Sequence, residues 1–228
     1  MITHPADPPL KVFGIGLSRT GTTSLHAASV LMGLSAWHYP SQAAFRWFLG
    51  DFSAATTQPF AAITDLPTPL FFEELDKTHP RARFILTVRD VESWLDSFEA
   101  FLGRTRPSSP QTLRRDIIRI ACYGTMAFHR ERMAGVYLRH IDRVQTYFRH
   151  RASDLLVLDV KKEPRPWQKL GDFLSLPLPD LPFPHLRAPG IGPLRCVLPQ
   201  ELGQKRDAMI RLAFGDPRAP MPAEEDTA

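Results

Sequence analysis

A short apolar run, a glycine-containing loop and a cluster of hydroxyl residues follow one another near the start of the sequence. Residues 11–15 read KVFGI, and residues 16–24 read GLSRTGTTS. A short apolar run that ends at a glycine is typical of a buried strand, and Thr22 with its neighbours is typical of a helix N-terminus. Because Gly21 can adopt a left-handed backbone conformation, successive N–H groups and the first helical turn can face an anion. The segment therefore predicts a strand, an anion-binding loop and a helix.

The loop lacks the lysine found in loops that bind nucleoside triphosphates. Those loops end in Gly-Lys-Ser/Thr, and the lysine contacts the β- and γ-phosphates. Here Gly21 is followed by Thr22, and the positive charge stands two residues earlier, at Arg19. A ligand with one phosphate near the loop fits this arrangement better than a triphosphate–magnesium complex. Taken alone, the loop leaves two alternatives open: a degenerate ATP site, or a glycine turn that only caps a helix.

Four more short apolar runs predict strands that alternate with segments of helical periodicity. The predicted strands are Lys11–Ile15, Ser35–His38, Ala61–Thr64, Arg83–Val88 and Leu155–Leu158. The predicted helices include Thr22–Met32, Pro69–Lys77, Val91–Phe101 with Asp90 as its N-cap, Ala127–Phe148, Trp167–Leu174 and Gln200–Phe214. This alternation predicts an α/β fold, in which a single domain has a central, mainly parallel sheet of about five strands flanked by helices.

Proline content suggests how the domain is bounded. Many of the 22 prolines follow residue 163, which predicts an irregular segment wrapped over a core rather than part of a sheet. We predict an N-terminal extension at 1–10 and the main domain at 11–187. We predict that residues 188–228 form a Pro-rich C-terminal segment with one helix and a frayed tail.

Polar residues follow four of the predicted strands. Arg19, His38, Asp65 and Arg89 each stand just after, or at the end of, a different strand. In open parallel sheets, ligands bind outside the carboxyl ends of the strands. We therefore expect these four residues to converge on one crevice.

Two motifs in order resemble those of the sulfotransferase superfamily, which has a P-loop-like fold. Residues 19–24, Arg-Thr-Gly-Thr-Thr-Ser, are similar to its 5′-phosphosulfate motif, and Arg89 with Ser97 eight residues later has the spacing of its second motif. Residues 63–67 (ITDLP) resemble the Lys-Thr-His-Leu-Pro stretch of cytosolic sulfotransferases. The likeness covers about residues 11–185 and extends to a group of small bacterial sulfotransferase-like proteins.

The resemblance implies a sulfuryl donor, 3′-phosphoadenylyl sulfate (PAPS), and a role for each motif. Arg19 would bridge the 5′-phosphate and the departing sulfuryl group, and Arg89 and Ser97 would bind the 3′-phosphate. The residues implied to hold the 5′-phosphate are Thr20, Gly21, Thr22, Thr23 and Ser24. The product would be adenosine 3′,5′-bisphosphate. Arg187-Ala188-Pro189-Gly190 only loosely resembles the segment that closes over the cofactor in cytosolic members, so no role is assigned to it.

The general base has two candidates. Asp65 stands where cytosolic members carry their catalytic His, and a carboxylate can act as a base if burial raises its pKa. His38 lies near the place where other members carry a catalytic Glu, and its ordinary pKa near 6.5 suits a base. Each candidate also has an alternative without a catalytic role: Asp65 as a turn residue before Pro67, and His38 as an ordinary side chain at a strand end. Asp65 is the first candidate, and a paired role is also open.

Charge and composition restrict partners only mildly. The net charge is +4, and eleven arginines fall between Arg104 and Arg151, either as solvated helix faces or as an approach for an acidic acceptor. We expect a small-molecule or glycan acceptor, and no nucleic acid, membrane or metal partner. Cys122 and Cys196 lack metal-like spacing, and no apolar run approaches 18 residues, so we expect a cytoplasmic protein with free thiols.

The sequence leaves three functions open. The first is a PAPS-dependent sulfotransferase that acts on a hydroxyl or amine acceptor. The second is a non-catalytic protein that binds adenosine 3′,5′-bisphosphate as a regulator. The third, which the missing lysine disfavours, is a nucleotide kinase or NTPase with a degenerate loop.

Overall fold

A computed structural model describes residues 10–104, 109–110, 112–186 and 194–215. This part of the chain contains a six-stranded sheet in the order β5-β4-β1-β3-β2-β6. The strands are β1 (Val12–Gly14), β2 (Ala36–His38), β3 (Ala62–Thr64), β4 (Arg83–Thr87), β5 (Leu155–Leu158) and β6 (Cys196–Val197). The first five pair in parallel, and β6 pairs antiparallel with β2. The prediction of an α/β domain with a mainly parallel sheet is confirmed.

Helices cover both faces of this sheet. They are α1 (Thr22–Leu31), α2 (Ser41–Phe48), α3 (Ala54–Thr57), α4 (Phe72–Thr78), α5 (Val91–Gly103), α6 (Leu113–Tyr123), α7 (Arg130–Phe148), α8 (Pro166–Leu174) and α9 (Leu202–Phe214). The predicted cap of α5 is confirmed, since the Asp90 carboxylate accepts a hydrogen bond from the Ser93 backbone N–H at 3.0 Å. This bond helps fix the start of α5 directly after β4.

Alternating side chains of the strands fill two apolar layers. On β1, Val12 packs in a layer with α1, α8 and α9, whereas Phe13 packs on the other face with α4 and α7. A third cluster joins α5, α6 and α7 around Trp94 and Tyr137, whose rings stack 4.5 Å apart. Every residue of α1 is buried, because the helix lies between the sheet and α9. The loop before α1 therefore starts from a rigid support.

The structure contains elements that the sequence patterns did not predict. β6 has two residues, too few for a periodicity, and it forms because Ala36 and Trp37 pair with Val197 and Cys196. α2 has eight residues and buries two alanines and Trp47, while its larger side chains Phe45 and Phe48 are exposed. The sheet thus gains an edge strand from a segment that was expected to be irregular.

Parts of the predicted organisation lie outside the described residues: positions 1–9 of the N-terminal extension, Arg187–Gly190 and Asp216–Ala228. Within the described part of 188–228, α9 packs on α1 and β6 on β2. Cys122 and Cys196 are free thiols. Among the helices that the structure describes, none is long and apolar enough to cross a membrane.

Candidate functional site

The loop between β1 and α1 is held by its own side chains. The Thr20 hydroxyl donates to the Leu17 carbonyl oxygen at 2.7 Å and lies 2.6 Å from the Thr87 hydroxyl at the end of β4. The Trp94 indole N–H donates to the Ser18 carbonyl oxygen at 2.9 Å. Because these bonds tie the loop to β4 and α5, its backbone N–H groups are fixed before any ligand arrives.

Two glycines make the loop compact. Gly21 has a φ of 110°, and a Cβ placed there would lie 2.3 Å from Val160 Cγ2. At Gly16 a Cβ would lie 2.0 Å from the Thr87 hydroxyl oxygen. A larger residue at either position would displace the loop from β4 or from the segment after β5. The predicted strand, loop and helix are present, and α1 begins at Thr22 directly after Gly21.

A cleft of about 810 Å³ lies over this loop, and we call it the loop cleft. All predicted cofactor-binding residues line it: Arg19, Thr20, Gly21, Thr22, Thr23, Ser24, Arg89 and Ser97. The Thr22 and Thr23 hydroxyls make no hydrogen bond to other described residues, whereas Ser24 Oγ accepts from the Leu186 backbone N–H at 3.0 Å. The cleft therefore combines a helix N-terminus, available hydroxyl donors and arginines.

Arg89 is positioned from both sides of its backbone. The Tyr137 hydroxyl donates to the Arg89 carbonyl oxygen at 2.6 Å and lies 2.8 Å from the Arg89 backbone nitrogen. The Arg89 guanidinium donates to the Ser93 hydroxyl at 2.8 Å and to the Arg19 carbonyl oxygen at 3.4 Å. It has no carboxylate of the described chain within ion-pair distance. Its positive charge is thus directed to the cleft without a protein counter-ion among those residues.

A second cleft of about 460 Å³ adjoins the first, and we call it the Asp65 cleft. It contains His38 and Asp65, and it shares four lining residues with the loop cleft: Arg19, Thr22, Thr23 and Arg104. Arg19 donates from Nε to Ser97 Oγ at 3.2 Å, and its guanidinium lies 5.4 Å from the centre of the Phe101 ring. The four residues expected to share one crevice thus line two connected clefts with Arg19 at their junction.

The His38 and Asp65 side chains lie in contact. His38 Nε2 lies 3.3 Å from Asp65 Oδ2, and His38 Nδ1 lies 3.0 Å from the Thr64 hydroxyl. The Ser18 hydroxyl donates to Asp65 Oδ1 at 2.7 Å. These contacts fit a neutral imidazole that carries its proton on Nε2, facing the carboxylate, and accepts from Thr64 at Nδ1. Asp65 is held at a φ of 70°, which turns the chain sharply after β3.

Burial shifts the pKa values of His38 and Asp65 in opposite directions. Burial, with the charge of Arg195 acting in the same direction, lowers the pKa of His38 from 6.5 to about 3. Burial raises the pKa of Asp65 above 3.8, against the hydrogen bond from Ser18 and the charges of Arg195 and Arg19. His38 is therefore neutral at physiological pH, and Asp65 is a more basic carboxylate than one in water.

Several residues that line the site were not predicted from the sequence. Arg195 reaches the Asp65 cleft because β6 runs beside β2, and the His38 backbone N–H donates to the Arg195 carbonyl oxygen at 2.7 Å. The other unpredicted lining residues include Ser18, Tyr39, Phe101, Arg104, Arg115, Arg119 and Tyr123. The arginine excess after residue 104 was the one sequence signal for part of this set. Within the described ranges, no group of three or more His, Cys, Asp or Glu has the geometry of a metal site.

A family model described as a sulfotransferase domain matches residues 11–190. The chain belongs to the sulfotransferase family. It is also similar to "Ava biosynthesis cluster protein M" of Aspergillus versicolor, at 26% identity over 212 residues covering 78% of this chain and 80% of the relative. The sulfotransferase match ends before β6, so Arg195 lies outside the matched region while contributing to the Asp65 cleft.

Histidines with lowered pKa values lead us to expect that this protein loses stability in mild acid. Burial is the main cause that lowers the pKa of His26 and His38 to about 3 and that of His140 to about 4, from 6.5. The unfolded chain protonates these imidazoles below pH 6.5, whereas the folded protein keeps them neutral. The free energy of unfolding should therefore fall as the pH drops from 6.5 towards 4, by at most about 1.4 kcal/mol per pH unit for each site.

Urea unfolding at pH 7, 6 and 5 measures the slope of the free energy of unfolding against pH. Single variants show which histidine causes that slope. His26→Leu should make the slope shallower, whereas His150→Gln, which removes an exposed histidine, should leave it unchanged. Asp65 acts with the opposite sign, since its raised pKa lets the folded state bind a proton more readily and so destabilises it as the pH rises above 3.8. An equal slope in the wild type and His26→Leu would contradict the assignment.

Proposed function

We propose that this chain transfers a sulfuryl group from PAPS to a hydroxyl or amine acceptor. In this proposal the loop cleft takes the donor and the Asp65 cleft takes the acceptor. The observation that carries the proposal is the position of Arg19, which lines both clefts where they meet. A cation at such a junction can stabilise negative charge that develops on a leaving phosphate.

The loop cleft suits a ligand with two separate phosphate groups. One group would be met by the N-terminus of α1 and the hydroxyls of Thr22 and Thr23, and the other by Arg89 and Ser97. Arg104 and Lys161 also line this cleft. Its acidic lining residue is Asp96, and the Asp96 carboxylate pairs with Arg130 at 3.0 Å. The excess of cations supports an adenosine 3′,5′-bisphosphate moiety over a neutral nucleoside.

Asp65 suits the role of general base better than His38. Both ring nitrogens of His38 already have partners, so His38 would have to leave one of them to take a proton. A carboxylate has about four lone-pair positions, and the contacts of Asp65 with Ser18, His38 and the Leu66 backbone leave room for an acceptor hydroxyl. In this proposal Asp65 takes the proton, and His38 orients the carboxylate.

The transfer then balances without a metal or an oxidant. The acceptor oxygen bonds to sulfur as its proton passes to Asp65. The bond between sulfur and the bridging phosphate oxygen breaks, and its electron pair leaves with adenosine 3′,5′-bisphosphate. The residues of the chain supply orientation, charge stabilisation and a proton acceptor, which are the main contributions that a group transfer of this kind needs.

Calorimetric titration with adenosine 3′,5′-bisphosphate and with ATP–magnesium tests the proposal. We expect the bisphosphate to bind at least about tenfold tighter, because Gly21 is followed by Thr22 rather than by a lysine that contacts the β- and γ-phosphates. A preference for ATP–magnesium would favour a nucleotide kinase and overturn the proposal. Tight bisphosphate binding without transfer to any acceptor would favour the regulator.

The role of Arg89 makes a separate prediction. Arg89→Ala should weaken binding of adenosine 3′,5′-bisphosphate by about 10- to 100-fold, since a charge-assisted hydrogen bond contributes about 1.5–3 kcal/mol. Binding of 5′-AMP, which lacks the 3′-phosphate, should change little. Titration of both ligands into Arg89→Ala and into Arg132→Ala measures the difference. Arg132 is an exposed residue of α7 that lines neither cleft. Equal losses for the two nucleotides would refute the 3′-phosphate role.

A further inference from the structure

The Asp65 cleft carries more positive charge than a base and a donor require. Its lining includes five arginines and one carboxylate, that of Asp65; the arginines are Arg19, Arg104, Arg115, Arg119 and Arg195. Arg19 and Arg104 also line the loop cleft, where phosphates would account for them. Arg115 pairs with Asp116 at 2.7 Å. Arg119 and Arg195 do not line the loop cleft, so the proposed donor does not account for their charges.

Arg119 is the least expected of these arginines because it is buried. It lies on α6 with 7% of its surface exposed, and its guanidinium lies 4.9 Å from the centre of the Phe101 ring. Its Nη1 has no hydrogen-bond partner, and no carboxylate among the described residues is within ion-pair distance. A buried guanidinium nitrogen without a hydrogen-bond partner is costly, so Arg119 is placed to receive an anion that the described residues do not supply.

Two tyrosines beside Arg119 also carry buried polar atoms that lack a hydrogen bond to the described residues. The hydroxyls of Tyr39 and Tyr123 are buried without a hydrogen-bond partner among the described residues, and both residues line the Asp65 cleft. Ser18 is close enough to act on the pKa of Tyr123, yet the two side chains form no hydrogen bond of acceptable geometry. Burial raises the pKa of Tyr39 to about 12 and that of Tyr123 well above 10, so both hydroxyls stay protonated and can donate.

Resting on the proposed function, we propose that the acceptor carries a carboxylate beside the hydroxyl that receives the sulfuryl group. Arg119 and the hydroxyls of Tyr39 and Tyr123 bind the carboxylate, and the acceptor hydroxyl faces Asp65. A planar guanidinium matches a carboxylate in shape and charge, and one anion satisfies three buried polar groups at once. A cleft of about 460 Å³ lined by Phe101 and Leu66 accommodates a small hydroxy acid with an apolar or aromatic body.

Matched pairs of hydroxy acids and their amides test this substrate class. The probes are 4-hydroxybenzoate, 4-hydroxyphenylacetate and 3-(4-hydroxyphenyl)propanoate, each beside its primary amide. Binding is measured by calorimetry with and without saturating adenosine 3′,5′-bisphosphate. We expect at least one acid to bind about tenfold or more tightly than its amide, the difference typical of a charge-assisted hydrogen bond. If no acid binds better than its amide, the proposal is wrong.

Arg119→Met and a control on the same helix locate the effect. Arg119→Met should reduce the preference for the acid to within about threefold, because the remaining tyrosine hydroxyls bind an amide oxygen as well. Arg114→Met, which removes an exposed arginine of α6 that lines neither cleft, should keep the preference. A preference that survives in Arg119→Met would place the anion elsewhere and overturn the assignment.

The thermal midpoint without ligand gives a second readout. If Arg119 is unpaired until a ligand arrives, Arg119→Met should keep or raise the midpoint, since removing a buried unpaired charge relieves its desolvation cost. A lowered midpoint together with an unchanged acid preference would make Arg119 a structural residue and reject the proposal. Failure of the proposed function has a different signature: the wild type would not bind adenosine 3′,5′-bisphosphate, whereas the acid preference measured without nucleotide would stand.

Discussion

Asp65→Asn should lower the single-turnover rate of sulfuryl transfer by about 10²- to 10⁴-fold, the usual contribution of a general base. The amide keeps the shape of the carboxylate and still accepts from Ser18, so the fold and the loop cleft should remain intact. Affinity for adenosine 3′,5′-bisphosphate should therefore equal that of the wild type. Rapid-quench measurement with an acceptor that the wild type sulfates checks the rate, and titration checks the affinity.

His38→Gln separates the base from the residue that orients it. His38 contacts Asp65 through Nε2, so its loss should cost about tenfold or less, in the range of one hydrogen bond. A near-normal rate in Asp65→Asn with a collapsed rate in His38→Gln would reverse the two roles.

Arg19→Ala should lower the transfer rate by about 10²- to 10³-fold, as expected for a donor fixed where charge develops. Its position at the junction of the two clefts predicts that the loss falls on the transfer step more than on acceptor binding. Arg19→Lys should retain part of the rate, because it keeps the charge but loses the fork of donors that reaches Ser97.

The measurements for Arg19 are single-turnover transfer at saturating donor and steady-state kcat and KM for the donor, with Arg132→Ala as the matched arginine control. A raised KM for the donor with an unchanged kcat would mean that Arg19 binds the donor equally well in the ground and transition states. In that case its place between the clefts would have no catalytic meaning, and charge stabilisation would have to come from Arg104, which lines both clefts as well.

The sequence was sufficient for the parts of the fold that depend on local pattern. Five short apolar runs of four to six residues and the alternation with helices predicted the parallel core, because burial on both faces leaves a continuous apolar run. The end-of-strand rule then brought Arg19, His38, Asp65 and Arg89 to one edge of the sheet. The sequence could not predict that this edge divides into two clefts, because the division depends on how the loop between β1 and α1 packs against α5.

The residues that were missed reach the site through distant packing. Tyr137 holds the backbone of Arg89 from α7, and Thr87 holds Thr20 from the neighbouring strand. Arg119 belongs to an arginine-rich segment in which solvated and buried arginines look alike in sequence. Only the tertiary structure separates Arg130, which pairs with Glu92 on the surface, from Arg119, which is buried.

The pairing of β6 with β2 sets an order for assembly during synthesis. The described lining of the loop cleft is complete once residue 186 has left the ribosome, because its last members are His185 and Leu186. The Asp65 cleft has to wait for Arg195, whose neighbour Leu194 accepts a hydrogen bond through its carbonyl oxygen from the His26 ring of α1, at 2.7 Å. A nascent chain thus completes the loop cleft first and closes the Asp65 cleft with its last described strand, β6.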